Sequence, residues 1–317
     1  MTIVELAERP EIEESVPQHW LSRINLLTLA GILFTVAIVW RLVDVVALRL
    51  GDTWLNIMPS KIFPLLIIVG VFWKYRRKEV GTVLGLAKDN YFKTQIVLGL
   101  GIFATWHMLL DVIPLVVYAT FFDSSYSLDF RIVSIELLWY SLIFFVTNGF
   151  LEEVLFRGIL QNSIRMKIGV VGGIVISGIF FGVWHAIWPI MNGIDSLFSV
   201  GQAVSMVVFS AIFATMYGVY YEKFSSRRTL VAPIISHTFM DFFNEHFKFG
   251  PEPLVPGPDY VYANPAILGI TILFFLAGYV GLIIFSWKLR VEIVNAKWNA
   301  FVRHLKSILR RESHNAI

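Results

Sequence analysis

Long apolar runs separated by short polar segments dominate the chain. A membrane span needs about 20 largely apolar residues, and runs as continuous as these favour helices. The pattern predicts an all-α polytopic membrane protein. Its about eight transmembrane helices fall at residues 24–48, 54–73, 95–122, 132–161, 168–188, 198–221, 229–247 and 265–287.

Polar residues and glycines mark the irregular points of this pattern. Two prolines and a lysine between residues 59 and 64 interrupt the second run, so its start is the least certain boundary. Asn148-Gly149 lies inside the fourth run, where it predicts a kink or a helix end that projects into the cytosol. The glycines between 169 and 178, in an apolar segment, predict close helix packing.

Composition narrows the class of protein further. The chain has 317 residues, of which 56% are hydrophobic and 15% charged, whereas soluble domains carry about a quarter charged residues. These values exclude a soluble enzyme, a disordered protein and a coiled coil. The chain has no Cys, which excludes thiol nucleophiles, Cys-ligated zinc and lipid-modified cysteine. The net charge of +3 does not indicate nucleic acid, because the basic residues lie between the apolar runs.

The basic residues predict the orientation, since Lys and Arg concentrate on the cytoplasmic side. With the N-terminus inside, 20 of the 26 fall in inside segments, and four lie outside: Arg49, Lys61, Arg131 and Lys248. The sequence therefore predicts a multi-pass integral membrane protein with both termini cytoplasmic, in the plasma membrane if the source is prokaryotic.

This orientation divides the chain into segments. They are a cytoplasmic tail at 1–23, three helices at 24–122, a core at 130–250, a last helix at 265–287 and a basic cytoplasmic tail at 288–317. The proline-containing stretch 249–264 is predicted to be an outside loop. The basic tail mixes apolar and cationic residues, so it is either an interfacial helix on anionic lipid or a solvated tail.

Ionisable residues within spans are costly and are therefore functional hypotheses. Glu153 and Arg157 are four residues apart on one helix and can pair, whereas Glu152 points about 100° away and is left free. A buried ion-pair network between helices is the structural alternative.

Two later segments add histidines. Phe181 and His185 share one helix face, and His237 and Asp241 have the same spacing in the seventh run. Taken alone, each histidine is more often a core residue with satisfied hydrogen bonds. His107 and Asp111 repeat the second pattern in the third run and are expected to be a helix-packing pair.

Together and in this order, the motifs resemble those of the CPBP family of intramembrane proteases. This family includes the CaaX prenyl endopeptidases and the bacteriocin-processing and self-immunity (Abi) proteins. The resemblance covers residues 130–250 and rests on Glu152-Glu153-x-x-x-Arg157, Phe181-x-x-x-His185 and His237-x-x-x-Asp241. The prenyl endopeptidases have Asn where this chain has Asp241, although the wider family admits either residue.

The resemblance implies an endopeptidase that acts near a membrane-associated terminus, such as a CaaX-type tail, a leader or a sorting peptide. Its substrate would be a membrane-associated protein or peptide within the lipid bilayer. Glu152 would be the general base, His185 would hold the water and His237 would donate to the oxyanion. Glu153 and Arg157 would orient these groups, and Phe181 would support His185.

Two points stay open at the level of the sequence. The enzyme is either metal-free or a zinc enzyme in which Glu152, His185, His237 and Asp241 are the ligands. The alternatives to a protease are a non-proteolytic scaffold or immunity protein of the same fold, and a transporter with a proton relay. The complete Glu/His/His set counts against the scaffold, and the absence of inverted repeats counts against the transporter.

Overall fold

The structure is a computed structural model that describes residues 19–50, 57–87, 89–187, 190, 197–251 and 264–315. Most of the predicted N-terminal tail and most of the predicted 249–264 loop lie outside the described residues. The described chain is almost entirely helical, which confirms the predicted all-α fold. Two short strands, β1 (Phe130–Ile132) and β2 (Phe247–Phe249), form an antiparallel pair in which Arg131 faces Lys248.

Nine longer helices follow one another along the described chain. They are α1 (Leu26–Leu48), α2 (Met58–Tyr75), α3 (Phe92–Phe121), α4 (Leu138–Glu153, continued by a π-helical segment Val154–Gln161), α5 (Asn162–His185), α6 (Leu197–Val219, continued by Tyr220–Phe224), α7 (Val231–His246), α8 (Pro265–Lys288) and α9 (Val291–Asn315). Shorter helical turns lie at Trp20–Arg23, Arg77–Glu79, Val80–Val83 and Ile135–Leu137.

Six continuous helical runs among the described residues are long and apolar enough to cross a membrane, against the eight spans predicted. They are Leu26–Leu48, Met58–Tyr75, Phe92–Phe121, Ile135–His185, Ala203–Phe224 and Pro265–Lys288. Two features account for the difference: the predicted fourth and fifth spans are one run, and the predicted seventh span is the shorter helix α7, with 16 residues.

The run Ile135–His185 folds back on itself. Its 51 residues would extend roughly 75 Å as a straight helix, more than twice the ~30 Å apolar thickness of a bilayer. The reversal lies at Gly169, with φ 86° and ψ 177°, near the start of the predicted fifth span at 168. No heavy atom lies within 4 Å of a Cβ at Gly169, so this glycine serves the turn and not the expected helix packing.

The predicted kink at Asn148-Gly149 is wrong. Helix Leu138–Glu153 continues through both residues, and the widening into a π-helix begins at Val154. Gly149 instead permits α4 and α7 to approach each other, because a Cβ there would lie 2.8 Å from Oγ1 of Thr238. A single π-helical segment within a helix is frequently found at functional sites, and this one directly follows the two glutamates.

The centre of the bundle is formed by α4. Every residue from Leu151 to Ile164 is buried, including Glu152, Glu153 and Arg157. Phe34 of α1 packs edge-on against Phe156, with ring centroids 5.7 Å apart. The charged groups of α4 therefore have to find their partners within the protein.

The assignment of Lys61 to the outside was also wrong. Lys61 lies in the π-helical turn Met58–Ile62 at the start of α2, and both it and its neighbours Pro59 and Ser60 are buried. The prolines that resemble a span boundary in sequence thus lie inside the bundle. The orientation of the termini remains a prediction.

Candidate active site

The Glu152 carboxylate lies at the centre of a cluster of polar side chains and is only 2% exposed. Its Oε1 atom accepts a hydrogen bond of 2.9 Å from the indole Nε1 of Trp184 and lies 3.6 Å from Nζ of Lys61. Its Oε2 atom faces Nε2 of His185 at 3.8 Å and Nε2 of His237 at 3.7 Å. The sequence predicted a free Glu152, and this is wrong. One carboxylate oxygen is held by Trp184 and Lys61, and the other faces both histidines.

The structure brings together residues from three helices that the sequence places far apart. Glu152 is at the end of α4, His185 at the end of α5 and His237 in the middle of α7. Neither histidine is a packing residue with all its hydrogen bonds made elsewhere, because each presents Nε2 to the same carboxylate oxygen. The expected convergence of the three motifs is found.

Both imidazoles are oriented by contacts of their Nδ1 atoms. Nδ1 of His185 lies 2.9 Å from the carbonyl oxygen of Phe181, and Nδ1 of His237 lies 2.9 Å from Oε1 of Glu153. Because a carbonyl oxygen only accepts, Nδ1 of His185 donates, and the neutral tautomer leaves Nε2 as an acceptor. The carboxylate of Glu153 likewise orients the ring of His237 through Nδ1, and a protonated His237 can still donate from Nε2.

Glu153 also pairs with Arg157, as the spacing predicted. Oε2 of Glu153 lies 3.2 Å from Nε of Arg157, and both side chains are buried. The guanidinium lies 4.2 Å from the centre of the Phe181 ring, and the same ring packs against the His185 imidazole, with centroids 4.5 Å apart. Phe181 thus supports His185 as expected and in turn lies against Arg157.

Asp241 is the most exposed of the acidic groups in the site, at 30%. Its Oδ2 atom lies 3.3 Å from Nε2 of His237 and 3.5 Å from the amide Nδ2 of Asn148. Sequence analysis named Asn148 only as half of a possible kink. Since its amide nitrogen points to Asp241, Asn148 contributes a donor to the site.

Three further residues of the site were missed or misread. Trp184 precedes His185 and was absorbed into the apolar pattern, and Lys61 was counted as an outside charge. Arg41 lies within the first predicted span, and its guanidinium lies 4.6 Å from the centre of the Trp184 ring. The available signal was a basic residue inside a predicted span, which is a functional hypothesis by default.

The donor set was tested for a metal site. Both histidines present Nε2 while Nδ1 is held by an oxygen, an arrangement that zinc ligands often show. Within the part of the chain that the structure describes, however, no group of three or more His, Asp and Glu side chains is arranged to hold a metal ion. Lys61 places a cation 3.6 Å from the carboxylate that would be the first ligand.

The comparison with protein families is consistent with this geometry. Residues 134–243 match the family model described as type II CAAX prenyl endopeptidase Rce1-like. All seven motif residues lie within this range, and the match confirms the resemblance to CPBP family proteases. It supports CAAX-type intramembrane protease activity in general, and with the six apolar helical runs it supports an integral membrane protein. No curated protein matches the chain.

Proposed function

We propose that this protein is an intramembrane endopeptidase in which Glu152 activates the water that hydrolyses a peptide bond. The observation that carries the proposal is the position of Oε2 of Glu152, 3.7 and 3.8 Å from Nε2 of His237 and His185. These separations exceed a direct hydrogen bond and suit one bridging water. A water held there has a carboxylate as base and two imidazoles that fix its direction.

The reaction follows from these roles. Glu152 takes a proton from the water as its oxygen attacks the scissile carbonyl carbon, and the carbonyl oxygen becomes an oxyanion. The oxyanion then collapses to a carboxylic acid as the C–N bond breaks, and protonated Glu152 gives the proton to the leaving amine, so the base is regenerated. Protonated His237 is placed to stabilise the oxyanion, and Asn148 adds an amide donor nearby.

We propose the metal-free form of this mechanism. The ammonium of Lys61, 3.6 Å from Glu152, supports it, because a divalent cation on the same carboxylate would be repelled. In the metal-dependent alternative, Glu152, His185, His237 and Asp241 would hold the ion, which would lower the pKa of a bound water and polarise the carbonyl. In the metal-free form, Asp241 has to be protonated to act as a donor, since an ionised carboxylate only accepts.

The substrate is proposed to be a membrane-associated protein or peptide, cleaved near a terminus within or beside the bilayer. This follows from the position of the site, which lies inside the helical bundle on segments from α2, α4, α5 and α7. A CaaX-type tail, a leader peptide and a sorting peptide all meet this description. The match to the CAAX endopeptidase family favours the tail.

The experiment compares the wild type with Glu152→Gln, which keeps an acceptor for the Trp184 N–H but cannot act as a base. Membranes from cells with each form are analysed by mass spectrometry for protein termini, and the purified proteins are assayed on peptides with the termini found. Glu79→Gln is the matched control, because Glu79 pairs with Arg76 away from the site.

We expect termini that accumulate uncleaved only with Glu152→Gln. Equal termini in both membranes, with a folded protein, would contradict the protease and favour the non-proteolytic scaffold.

A further inference from the structure

Lys61 is a buried cation that the motifs do not include. A lysine near a helix end normally extends its ammonium to the membrane surface. Here the side chain is only 8% exposed, and the π-helical turn Met58–Ile62 directs it into the bundle. The turn is bounded by Pro59 and Pro64, and Pro59 cannot supply an amide donor to it.

The surroundings of Lys61 join it to the active site. Its Nζ atom lies 3.6 Å from Oε1 of Glu152 and 5.6 Å from the centre of the Phe144 ring. Arg41, Asp44 and Asp241 act on Lys61 only through longer-range electrostatics. Among the described residues, Glu152 is the acidic group in ion-pair contact with Lys61.

Arg41 does not substitute for Lys61. Its guanidinium lies over the ring of Trp184, at 4.6 Å, and Trp184 in turn donates to Oε1 of Glu152. Arg41 thus supports the neutral donor, while Lys61 is the charged partner. A neutral hydrogen-bond donor and a cation thus converge on a single oxygen of Glu152.

This arrangement fixes the rotation of the Glu152 carboxylate. With Oε1 engaged by Trp184 and Lys61, Oε2 is the oxygen left to face both histidines, and it has no hydrogen-bond partner among the described residues. The ammonium, 3.6 Å from Oε1, favours this orientation by electrostatic attraction. Without the ammonium, the carboxylate is free to turn towards other donors.

We infer that Lys61 is a positioning residue for peptide hydrolysis, which holds Oε1 of Glu152 so that Oε2 is presented to the water between His185 and His237. The inference rests on the proposed function. Lys61 acts through Glu152 and makes no bond to the substrate. A small displacement of a reacting group costs on the order of 100-fold in rate, which sets the expected effect.

The kinetic test uses Lys61→Met, which has a similar length and no charge, and Lys61→Arg, which restores a cation. On a peptide that the wild type cleaves, Lys61→Met is expected to lower kcat about 100-fold and to change KM by less than about twofold. The kcat of Lys61→Arg is expected to be at least about tenfold higher than that of Lys61→Met. Lys248→Met is the control, because Lys248 is also buried but donates to the carbonyl oxygen of Asn244.

A second measurement does not need activity. Lys61→Met is made in the wild type and in Glu152→Gln, and the melting temperature of each purified protein is measured. The change is expected to lower the melting temperature of the wild type, where it removes the cation nearest to the buried Glu152 carboxylate. It should leave unchanged or raise that of Glu152→Gln, where it removes a buried ammonium that has already lost this carboxylate. Lys248→Met should shift both backgrounds equally.

The outcomes separate the inference from the proposed function. A wild type that cleaves nothing contradicts the protease, while the melting temperatures still test the pair. An active wild type with unchanged kcat in Lys61→Met, or equal melting shifts in the two backgrounds, overturns the inference alone. If the Lys61→Met protein does not accumulate in cells, the double variant Lys61→Met with Glu152→Gln is expected to accumulate. If neither protein accumulates, the inference about Lys61 is overturned as well.

Discussion

Oε1 of Glu153 lies 2.9 Å from Nδ1 of His237, although the two residues belong to different helices. The adjacent glutamates of the motif thus have separate partners: Glu153 holds His237 and Arg157, and Glu152 faces the two Nε2 atoms. This explains why two carboxylates occur side by side in an apolar bundle. One orients the site, and the other is left to react.

Replacement of Glu153 should therefore reduce stability as well as activity. Glu153→Ala leaves the fully buried guanidinium of Arg157 unpaired, which costs about 3–5 kcal/mol of unfolding free energy. We expect low expression and a lower melting temperature in detergent. The double variant Glu153→Ala with Arg157→Met should regain stability but not activity, because His237 stays without its acceptor. Wild-type stability in Glu153→Ala would contradict the ion pair.

Replacement of His185 or His237 should lower activity, whereas replacement of His107, which lies in a similar sequence pattern, should not. We expect His185→Ala or His237→Ala to lower the turnover number by about 10²–10⁴, the usual contribution of acid–base groups. His107→Ala is the control, since Nδ1 of His107 lies 2.8 Å from Asp111 in α3, as its spacing predicted. Turnover is measured on reconstituted protein. Equal losses in all three variants would indicate a structural effect.

The contacts within single helices could be predicted from the sequence. Glu153–Arg157, Phe181–His185 and His237–Asp241 are each four residues apart, and the helical repeat alone places such residues on one face. The reversal at Gly169 then brings His185 back beside Glu152.

The contacts between helices could not be predicted in this way. Trp184, Asn148 and Lys61 reach the site through the packing of neighbouring helices, which no spacing encodes. Lys61 also carried a misleading signal, because a lysine between two prolines resembles the end of a span. The consequence is practical: Glu152→Ala and Glu152→Gln both remove the carboxylate beside Lys61, but only Gln keeps an acceptor for the Trp184 N–H, so it is the better variant.

The orientation of the chain can be tested by cysteine labelling, since the protein has no native Cys. We expect single cysteines at Lys78 and Arg303 to react only with reagents that reach the cytoplasm, because both lie in segments predicted to be inside. Arg131→Cys, on the opposite side in this topology, is the control and should react from outside. Labelling of position 78 or 303 by an impermeant outside reagent would contradict the model with cytoplasmic termini.

The C-terminal helix α9 offers a test of lipid binding. Trp298, Phe301 and Leu305 are exposed at helical spacing, and basic residues lie between them. An environment-sensitive dye at Leu305→Cys should shift to shorter wavelength in anionic compared with zwitterionic vesicles, and high salt should reduce the shift. The same dye at Ser307→Cys, on a different face, is the control. Equal emission at both positions would favour a solvated tail.

The choice between metal-free and metal-dependent hydrolysis depends on Asp241. In the metal-free mechanism, a group beside His237 has to donate a hydrogen bond, and Asp241 does so only while it is protonated. We expect Asp241→Asn to keep most of the activity, because an amide donates a hydrogen bond whatever the pH. A membrane-permeant chelator should have no effect on either protein.

The opposite result has an equally definite meaning. An amide is a poorer metal ligand than a carboxylate, so Asp241→Asn should abolish the activity of a zinc enzyme. The chelator should then inactivate the wild type, and added zinc should restore it.

Asn148→Ala also separates the two mechanisms. It removes a hydrogen-bond donor near Asp241, so it should lower the turnover of a metal-free enzyme. It removes none of the four proposed metal ligands, so it should not lower the zinc content of a metal enzyme. Retention of zinc content with unchanged turnover in Asn148→Ala would contradict the metal-free mechanism.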